Sequence, residues 1–297
     1  MAFQVDDKLV IGVSSRALFD LKEENRIFEE QGLKAYEAYQ QEHENDILNP
    51  GTAFPLVKAL HNLNLGERQL TEIIIMSKNS TDTSLRIFNS IAHYGLDISR
   101  AALVGGGNIT PYLSAFGTDL FLSANQEDVK EALSSGIAAG LICPTDNLNV
   151  KPEEAIHQIR IAFDGDAVIF SGEAEEIFQK EGLEAFAEHE RENAQNPLPE
   201  GPFAKLLKTI SLVQEQFNQD QSPIRTALVT ARNAPAHERV VRTLRAWNVR
   251  VDETFFLGGM KKADILKAFG AHIFFDDQQT HLDSASKVVP AAQVLTE

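Results

Sequence analysis

The sequence predicts an α/β fold with largely parallel sheets, built from a unit that occurs twice along the chain. Short runs of β-branched and aromatic residues alternate with longer stretches of helical periodicity, which is typical of βα units on a parallel sheet. In the second half these runs predict strands at Ile159–Phe163, Thr226–Val229 and His272–Phe275. We therefore expect each half to bury its own hydrophobic core.

Three stretches of the first half recur in the second half in the same order. The segment from Phe28, FEEQGLKAYEAYQQEHENDILNPGTAF, aligns with the segment from Phe178, FQKEGLEAFAEHERENAQNPLPEGPF, so that Gly32 coincides with Gly182. Further on, LSAFGTDLFLSANQ aligns with LKAFGAHIFFDDQQ, and EIIIMSKNS aligns with TALVTARNA. Chance similarity among helical segments explains one such match but hardly three in order, so we interpret the chain as an internal duplication.

The length and the turn-forming residues predict two domains. The chain has 297 residues, which exceeds the usual size of a single domain. The stretch Cys143–Pro152, CPTDNLNVKP, is rich in turn formers and marks a boundary, so we predict domains over residues 1–150 and 151–297. After the first strand of the second half, an insertion at about residues 171–213 has apolar residues at helical spacing on either side of the break NPLPEGP. It predicts a small helical cap.

Charge and cysteine content narrow the classes of partner. With 27 Lys and Arg against 43 Asp and Glu, the net charge of −16 disfavours nucleic acids and anionic membrane surfaces. The single cysteine, Cys143, allows no internal disulfide, the N-terminus lacks the pattern of a signal peptide, and no apolar run is long enough to span a membrane. We therefore expect a cytoplasmic protein that binds neither nucleic acid nor membrane.

Two acidic residues, Asp164 and Asp166, follow the predicted strand Ile159–Phe163 in RIAFDGDAVIF. Ligands of open α/β sheets bind beyond the carboxyl ends of strands, so chemistry is expected at this place. Alternation along extended backbone places both carboxylates on the same side, and Gly165 permits a tight turn between them. A nucleophile and an acid can then approach one phosphorus atom. An ordinary acidic turn is the alternative interpretation.

Three further polar groups follow later strands. Thr230 and Arg232, in ALVTAR, stand where a hydroxyl and backbone N–H groups can hold a phosphate oxygen, unless Thr230 simply caps a helix. The pair Lys261–Lys262, in LGGMKKADIL, can neutralise a nucleophile and a phosphoryl group, or is merely solvated. The pair Asp276–Asp277, in HIFFDDQQ, offers hard oxygen ligands for Mg²⁺ after a buried strand, or one of the two caps a helix.

Taken in order, an acid pair, a hydroxyl, a lysine and a second acid pair resemble the haloacid-dehalogenase superfamily of phosphotransferases. Response-regulator receivers use similar groups, but there the acid pair comes before the phosphoacceptor. More closely, RIAFDGDAVIFS, IRTALVTARNA, FFLGG and HIFFDDQ, with much of the first half, look like the cytosolic type I 5′-nucleotidase family from about Leu9 to about Val289.

This resemblance implies Rossmann-like parallel sheets of haloacid-dehalogenase type and Mg²⁺-dependent hydrolysis of nucleoside 5′-monophosphates such as AMP or IMP. Two alternatives remain open. One is a phosphatase for another small phosphomonoester, such as a sugar phosphate, which shares the four motifs. The other is a non-catalytic nucleotide-binding protein.

The resemblance also implies roles for single residues. Asp164 matches the nucleophile that forms an aspartyl-phosphate, and Asp166 matches the acid that protonates the leaving oxygen and then activates water. Phosphate binding is expected from Thr230, Arg232 and Lys262. The expected ligands of Mg²⁺ are Asp277 directly, Asp276 through water, the Asp164 carboxylate and the backbone carbonyl of Asp166.

The first half lacks both acid pairs at the corresponding positions. Ser14 and Arg16 stand where the second half has Asp164 and Asp166, and the other replacements are Ser77 for Thr230, Ile109 for Lys262 and Ser123–Ala124 for Asp276–Asp277. We expect a related sheet there without metal or nucleophile, which supports the second half or forms an interface, that of a homo-oligomer included. An effector site or part of the nucleoside pocket is the alternative, with Arg16 and Lys78 as probes of an anionic effector.

Overall fold

The computed structural model of the chain describes residues 8–64, 69–144 and 158–296, and they form two compact units. Unit 1 comprises the described residues up to Pro144, and unit 2 comprises residues 158–296. The predicted boundary at residue 150 lies outside the described residues. No helix in the described ranges is long and apolar enough to cross a bilayer.

Unit 1 contains five parallel strands in the order β3-β2-β1-β4-β5. The strands are β1 (Leu9–Val13), β2 (Thr71–Ser77), β3 (Arg100–Leu103), β4 (Leu120–Ser123) and β5 (Ala138–Ile142). The helices between them are α1 (Ser15–Leu18), α2 (Lys22–Gln31), α3 (Leu33–Glu42), α4 (Phe54–Asn62), α5 (Leu85–His93), α6 (Thr110–Ala115) and α7 (Gln126–Ser134). Every residue of β1 is buried, because this strand is central in the order.

Unit 2 contains five parallel strands in the order β8-β7-β6-β9-β10. The strands are β6 (Ile159–Phe163), β7 (Ile224–Thr230), β8 (Glu253–Phe256), β9 (Ile273–Asp276) and β10 (Ala291–Gln293). The helices are α8 (Glu173–Glu192), which bends at Gly182, α9 (Ala204–Gln214), α10 (His237–Ala246), α11 (Lys262–Phe269) and α12 (Gln279–Ala285), with a 3₁₀ turn at Gln219–Gln221. Both units therefore confirm the predicted α/β architecture with parallel sheets.

The predicted strands agree with the observed ones to within two residues at each end. The prediction for β6 is the observed range. Strand β7 begins two residues earlier than predicted because Ile224 and Arg225 pair with the first residues of β6. Strand β9 includes Asp276, which pairs with Gln293 of β10, so this acid lies within the strand rather than after it.

The order of strands places the carboxyl ends of β6 and β9 side by side. From β6 the chain moves outward through β7 to β8, and then returns to β9 on the other side of β6. Phe163 at the end of β6 is in register with Phe275 of β9, and the amide of Asp164 donates to the carbonyl oxygen of Phe275 at 2.8 Å. In open α/β sheets ligands bind at such a reversal of strand order.

Aromatic packing beneath these strand ends shows where the insertion rejoins the core. Phe203, which directly precedes α9, is fully buried, and its ring centroid lies 4.8 Å from that of Phe275. Leu206 and Leu207 of α9 are buried as well. Within the predicted cap at about residues 171–213, α9 therefore packs into the core of unit 2. Helix α8 is the part of the insertion that remains a candidate cap.

The insertion leaves and rejoins unit 2 at one close contact between backbone segments. Phe170 forms an antiparallel bridge with Glu200, and the amide of Gly201 donates to the carbonyl oxygen of Ile169 at 2.9 Å. A Cβ atom on Gly201 would lie 2.6 Å from the carbonyl oxygen of Val168 and closer still to that of Phe170. Since both neighbours are backbone atoms, any side chain at this position forces the two segments apart.

We expect Gly201→Ala to lower the free energy of unfolding by about 1–3 kcal/mol, the usual cost of overpacking a buried contact. Gly172→Ala is the matched control, because its Cβ would make an ordinary contact at 3.7 Å and its φ is −76°. We expect the control to lose less than about 1 kcal/mol. Urea unfolding followed by circular dichroism measures both variants, and equal stability of the two would contradict the close approach at Gly201.

Candidate active site

Three charged side chains from three elements meet beyond the end of β6. The Nζ atom of Lys262 lies 2.7 Å from Oδ1 of Asp164 and 2.7 Å from Oδ2 of Asp276. None of the three residues is more than 4% exposed. The structure thus brings together the predicted nucleophile, the predicted lysine and one member of the second acid pair.

A glycine turn positions the lysine. Gly258 and Gly259 have φ values of 57° and 88°, in the left-handed region that favours glycine, and they turn the chain between β8 and α11. The amide of Leu257 donates to the carbonyl oxygen of Thr230 at 2.9 Å, which ties this turn to the end of β7. Helix α11 begins at Lys262, whose side chain is buried, whereas Lys261 is exposed.

Burial and mutual charge shift the ionisation of the cluster. Burial raises the pKa of the Asp164 carboxyl above its usual range; the ammonium of Lys262 opposes this shift, and the Asp276 carboxylate adds to it. For Asp276, burial alone would raise the pKa, but His281 and Lys262 together lower it. Burial would lower the pKa of Lys262, yet the two carboxylates raise it, so the lysine stays charged.

Asp166 belongs to a second network of charges. Both of its carboxylate oxygens accept hydrogen bonds from Arg232, at 2.8 Å from Nε and 2.6 Å from Nη2. The remaining Nη1 of Arg232 pairs with Glu190 of α8, and Arg239 of α10 donates to the other oxygen of Glu190 at 2.8 Å. The side chain of Glu190 has no exposed surface. Helix α8 is therefore connected to Asp166 through one buried arginine.

Thr230 and Gly165 lie against each other at the ends of β7 and β6. A Cβ atom on Gly165 would lie 3.3 Å from Oγ1 of Thr230, so glycine permits this close approach. The tight turn that the sequence placed at Gly165 occurs instead at Ala167, whose φ is 59°. Oγ1 of Thr230 accepts a hydrogen bond from the amide of Arg232 at 3.2 Å, and α10 begins only at His237, so Thr230 caps no helix.

The donor set at the ends of β6 and β9 fits a divalent cation. Asp164, Asp276 and His281 each offer one ligand atom, and these atoms all lie within 4.8 Å of one another. Asp277 is outside that group. Its Oδ1 is buried and has no hydrogen-bond partner among the described residues, and burial, followed by the neighbouring Asp276, raises its pKa to about 6. A cation relieves such a carboxylate, because hard oxygen ligands and divalent charge match each other.

Two residues of the site had no sequence-based prediction. Glu190 and His281 lie on helices α8 and α12 and belong to no short motif. The internal repeat contains a signal for Glu190. When the two halves are aligned, Gln40 corresponds to Glu190 and Asn79 corresponds to Arg232. A charged pair in the second half therefore corresponds to two neutral amides in the first half.

Comparisons with known proteins match the whole chain. A family model described as 5′-nucleotidase matches residues 1–297. The chain is 38% identical over 301 residues to human cytosolic 5′-nucleotidase 1B, in an alignment that covers 94% of this chain and 47% of that protein. The chain therefore spans about half the length of this relative. No solved structure gives a significant match.

We expect Lys262→Met to lower the free energy of unfolding by about 3–5 kcal/mol, because it leaves Asp164 and Asp276 buried without a compensating charge. Lys261→Met is the matched control on the exposed neighbour and is expected to change stability by less than about 0.5 kcal/mol. Urea unfolding in the presence of EDTA compares the two variants. Similar losses in both would show that the buried ammonium does not hold the cluster together.

Proposed function

The chain belongs to the 5′-nucleotidase family, and we propose that it hydrolyses nucleoside 5′-monophosphates such as AMP or IMP to a nucleoside and phosphate. The observation that carries the proposal is the buried ammonium of Lys262 between Asp164 and Asp276. Phosphoryl transfer depends on positioning and on neutralising negative charge more than on a strong nucleophile. A cation fixed against two strand-end carboxylates meets both needs.

In the proposed reaction a carboxylate oxygen of Asp164 attacks the phosphorus atom and forms an aspartyl-phosphate. The bond between phosphorus and the 5′ oxygen of the ribose breaks, and Asp166 donates a proton to that oxygen. Asp166 then accepts a proton from a water molecule, which attacks the aspartyl-phosphate and releases phosphate. Lys262 and Thr230 bind phosphoryl oxygens during both steps.

The hydrogen bonds from Arg232 compete with the proposed proton transfer at Asp166. Both oxygens of Asp166 accept hydrogen bonds from this guanidinium, so Asp166 can handle a proton only after one of them is released. An incoming phosphate competes for the same guanidinium because bidentate pairing with oxyanions suits arginine. We infer that Arg232 moves at least one of its two hydrogen bonds from Asp166 to the substrate phosphate, while its Nη1 stays paired with Glu190.

We propose Mg²⁺ as the cofactor, which the carboxylates of Asp164 and Asp277 and the backbone carbonyl of Asp166 would hold directly and Asp276 through water. Bound there, Mg²⁺ supplies the positive charge that allows one anion to approach another. Charge balance supports this proposal. The site contains five acidic side chains but only three from Lys or Arg. The acids are Asp164, Asp166, Glu190, Asp276 and Asp277, and the bases are Lys262, Arg232 and Arg239.

We also propose that the two units are related Rossmann-like domains of haloacid-dehalogenase type that arose by duplication. Their equal strand order supports this, as do the bends at Gly32 and Gly182, with φ of 82° and 87°. Unit 1 is then the non-catalytic repeat of residues 1–150, unit 2 is the catalytic repeat of residues 151–297, and α8 is the cap. A cytoplasmic location and a homo-oligomer stay predictions.

The first test of the proposed function is Asp164→Asn. We expect release of phosphate from AMP or IMP to fall by about 1,000-fold or more, as for other lost nucleophiles, whereas the exposed control Asp264→Asn keeps the rate within about twofold. EDTA is expected to abolish the wild-type reaction, and added Mg²⁺ to restore it. A panel containing ribose 5-phosphate and other phosphomonoesters measures preference. Full activity of Asp164→Asn would contradict the proposed mechanism, and a preference for a sugar phosphate would contradict the proposed class of substrate.

The second test concerns Arg232. We expect Arg232→Lys to lower kcat for AMP by about 10- to 100-fold, because lysine lacks the planar set of donors with which Arg232 binds both oxygens of Asp166 and also Glu190. The conservative control Arg242→Lys alters only an exposed ion pair with Glu238 and is expected to keep kcat. Steady-state kinetics at saturating Mg²⁺ measures both variants. An unchanged kcat in Arg232→Lys would contradict the shared role of this guanidinium.

A further inference from the structure

Unit 1 contains a cavity of about 400 Å³ at the carboxyl ends of β1, β2 and β4. Ser14 directly follows β1, and Ser77 and Ser123 are the last residues of β2 and β4. These strands have the same positions in the order of unit 1 as β6, β7 and β9 have in unit 2. The volume lies in the range of small-molecule binding sites.

The lining has a polar floor and an apolar wall. The strand-end serines form the floor, while Leu21, Phe28, Leu33 and Tyr36, on and beside α2 and α3, form the wall. The rings of Phe28 and Tyr36 meet edge to face with centroids 6.0 Å apart. Phe28 is 48% exposed and Leu33 is 58% exposed, which leaves apolar surface open at the cavity. A flat ring is the ligand group that suits such a wall.

Two donors of the cavity lack a protein partner. Arg16 is an exposed residue that lines the cavity; its guanidinium forms no hydrogen bond or ion pair with any residue in the described ranges, and it interacts with Glu29 and Asp128 only through their charge. The side-chain oxygen of Asn79 accepts from the hydroxyl of Tyr36 at 3.0 Å, but its Nδ2 is buried and has no partner among those same residues. Lys78, which also lines the cavity, pairs with Asp128 at 2.6 Å. An oxyanion in the cavity can pair with the guanidinium of Arg16, whereas the buried Nδ2 of Asn79 becomes available to it only after that side chain moves.

The cavity lacks the groups for phosphoryl transfer. Ser14 stands at the place of the nucleophile, and its Oγ is occupied with the amide of Ala17 at 3.2 Å. Oγ of Ser123 likewise accepts from the amide of Asn125 at 3.1 Å. The cation Arg16 stands where unit 2 has the acid Asp166. The carboxylates of the lining, Glu24 and Asp128, are paired with Arg86 and Lys78, so Arg16 is the cation left to attract an anion, which meets no nucleophile there and no acid in the place of Asp166.

We propose that this cavity is a second binding site, which holds a phosphate ester with a flat ring, of the nucleoside 5′-monophosphate class, without hydrolysing it. The phosphate lies towards Arg16 and Asn79, and the ring lies against Phe28 and Tyr36. The site goes beyond the proposed activity of unit 2, because it stands on the contacts of unit 1 alone.

Equilibrium dialysis of radiolabelled AMP against the full chain carrying Asp164→Asn tests the proposal in the presence of Mg²⁺. We expect two bound equivalents per chain. Adding Arg16→Ala is expected to weaken one of them by tenfold or more, and Phe28→Ala by fivefold or more. Lys130→Ala, which removes an exposed cation of unit 1 outside the cavity, is the matched control and is expected to retain both equivalents. Adenosine and inorganic phosphate serve as competitors, each expected to displace AMP from this site at least tenfold less well than unlabelled AMP.

A single bound equivalent that Arg16→Ala leaves unchanged would overturn the proposal. If inorganic phosphate displaced AMP as effectively as unlabelled AMP does, the proposal would also be overturned, because the cavity would then bind an anion without recognising the ring. Hydrolysis is measured separately, with Arg16→Ala in the otherwise unaltered chain, where kcat is expected to stay within twofold. If the unaltered chain released no phosphate from AMP, the proposed function would fail, while the dialysis of Arg16→Ala would still decide the second site.

Discussion

The pairing of one buried ammonium with two buried carboxylates is the interaction on which the structure of unit 2 depends. Strand order brings the ends of β6 and β9 together, so Asp164 and Asp276 face each other in a place with almost no solvent. Two such charges repel each other and lose hydration. Lys262 removes both problems at once, and it can do so only because the glycine turn after β8 starts α11 at this residue. The charge cluster thus depends on both the strand order, which brings the two carboxylates together, and the glycine turn, which places the lysine between them.

A second group of contacts links helix α8 to Asp166. Glu190 of α8 is held by Arg232 and Arg239, and Arg232 in turn holds Asp166. In unit 1 neutral amides stand in place of Glu190 and Arg232. There Gln40 donates to the hydroxyl of Tyr36, which donates to Asn79, while Arg86, at the position of Arg239, keeps a buried ion pair with Glu24.

The sequence predicted the site to the extent that its residues follow strands. Asp164, Thr230 and Asp276 were predicted because each stands at the end of a buried apolar run. A glycine pair pointed to Lys261 and Lys262, and the family resemblance selected Lys262. Glu190 and His281 lie on helices whose contacts depend on tertiary packing, which no local pattern encodes. The bounds of the cap stay a prediction for a related reason: an amphipathic helix such as α9 has the same periodicity whether it covers a ligand or packs against a sheet. Contacts that join distant segments need the assembled sheet.

The strand order also dictates when the site comes into being during folding. Strand β6 is central in its sheet, yet one of its two neighbours is made near the end of the unit, and the amide of Arg160 donates to Nδ1 of His272 across 112 residues of chain. Pairings over such separations form late, because loop closure costs entropy before any contact repays it. In a nascent unit 2 the edge of β6 that pairs with β9 therefore stays unpaired until β9 has emerged from the ribosome. Because the lysine bridge needs both α11 and β9, it cannot form before the chain has been synthesised as far as Asp276.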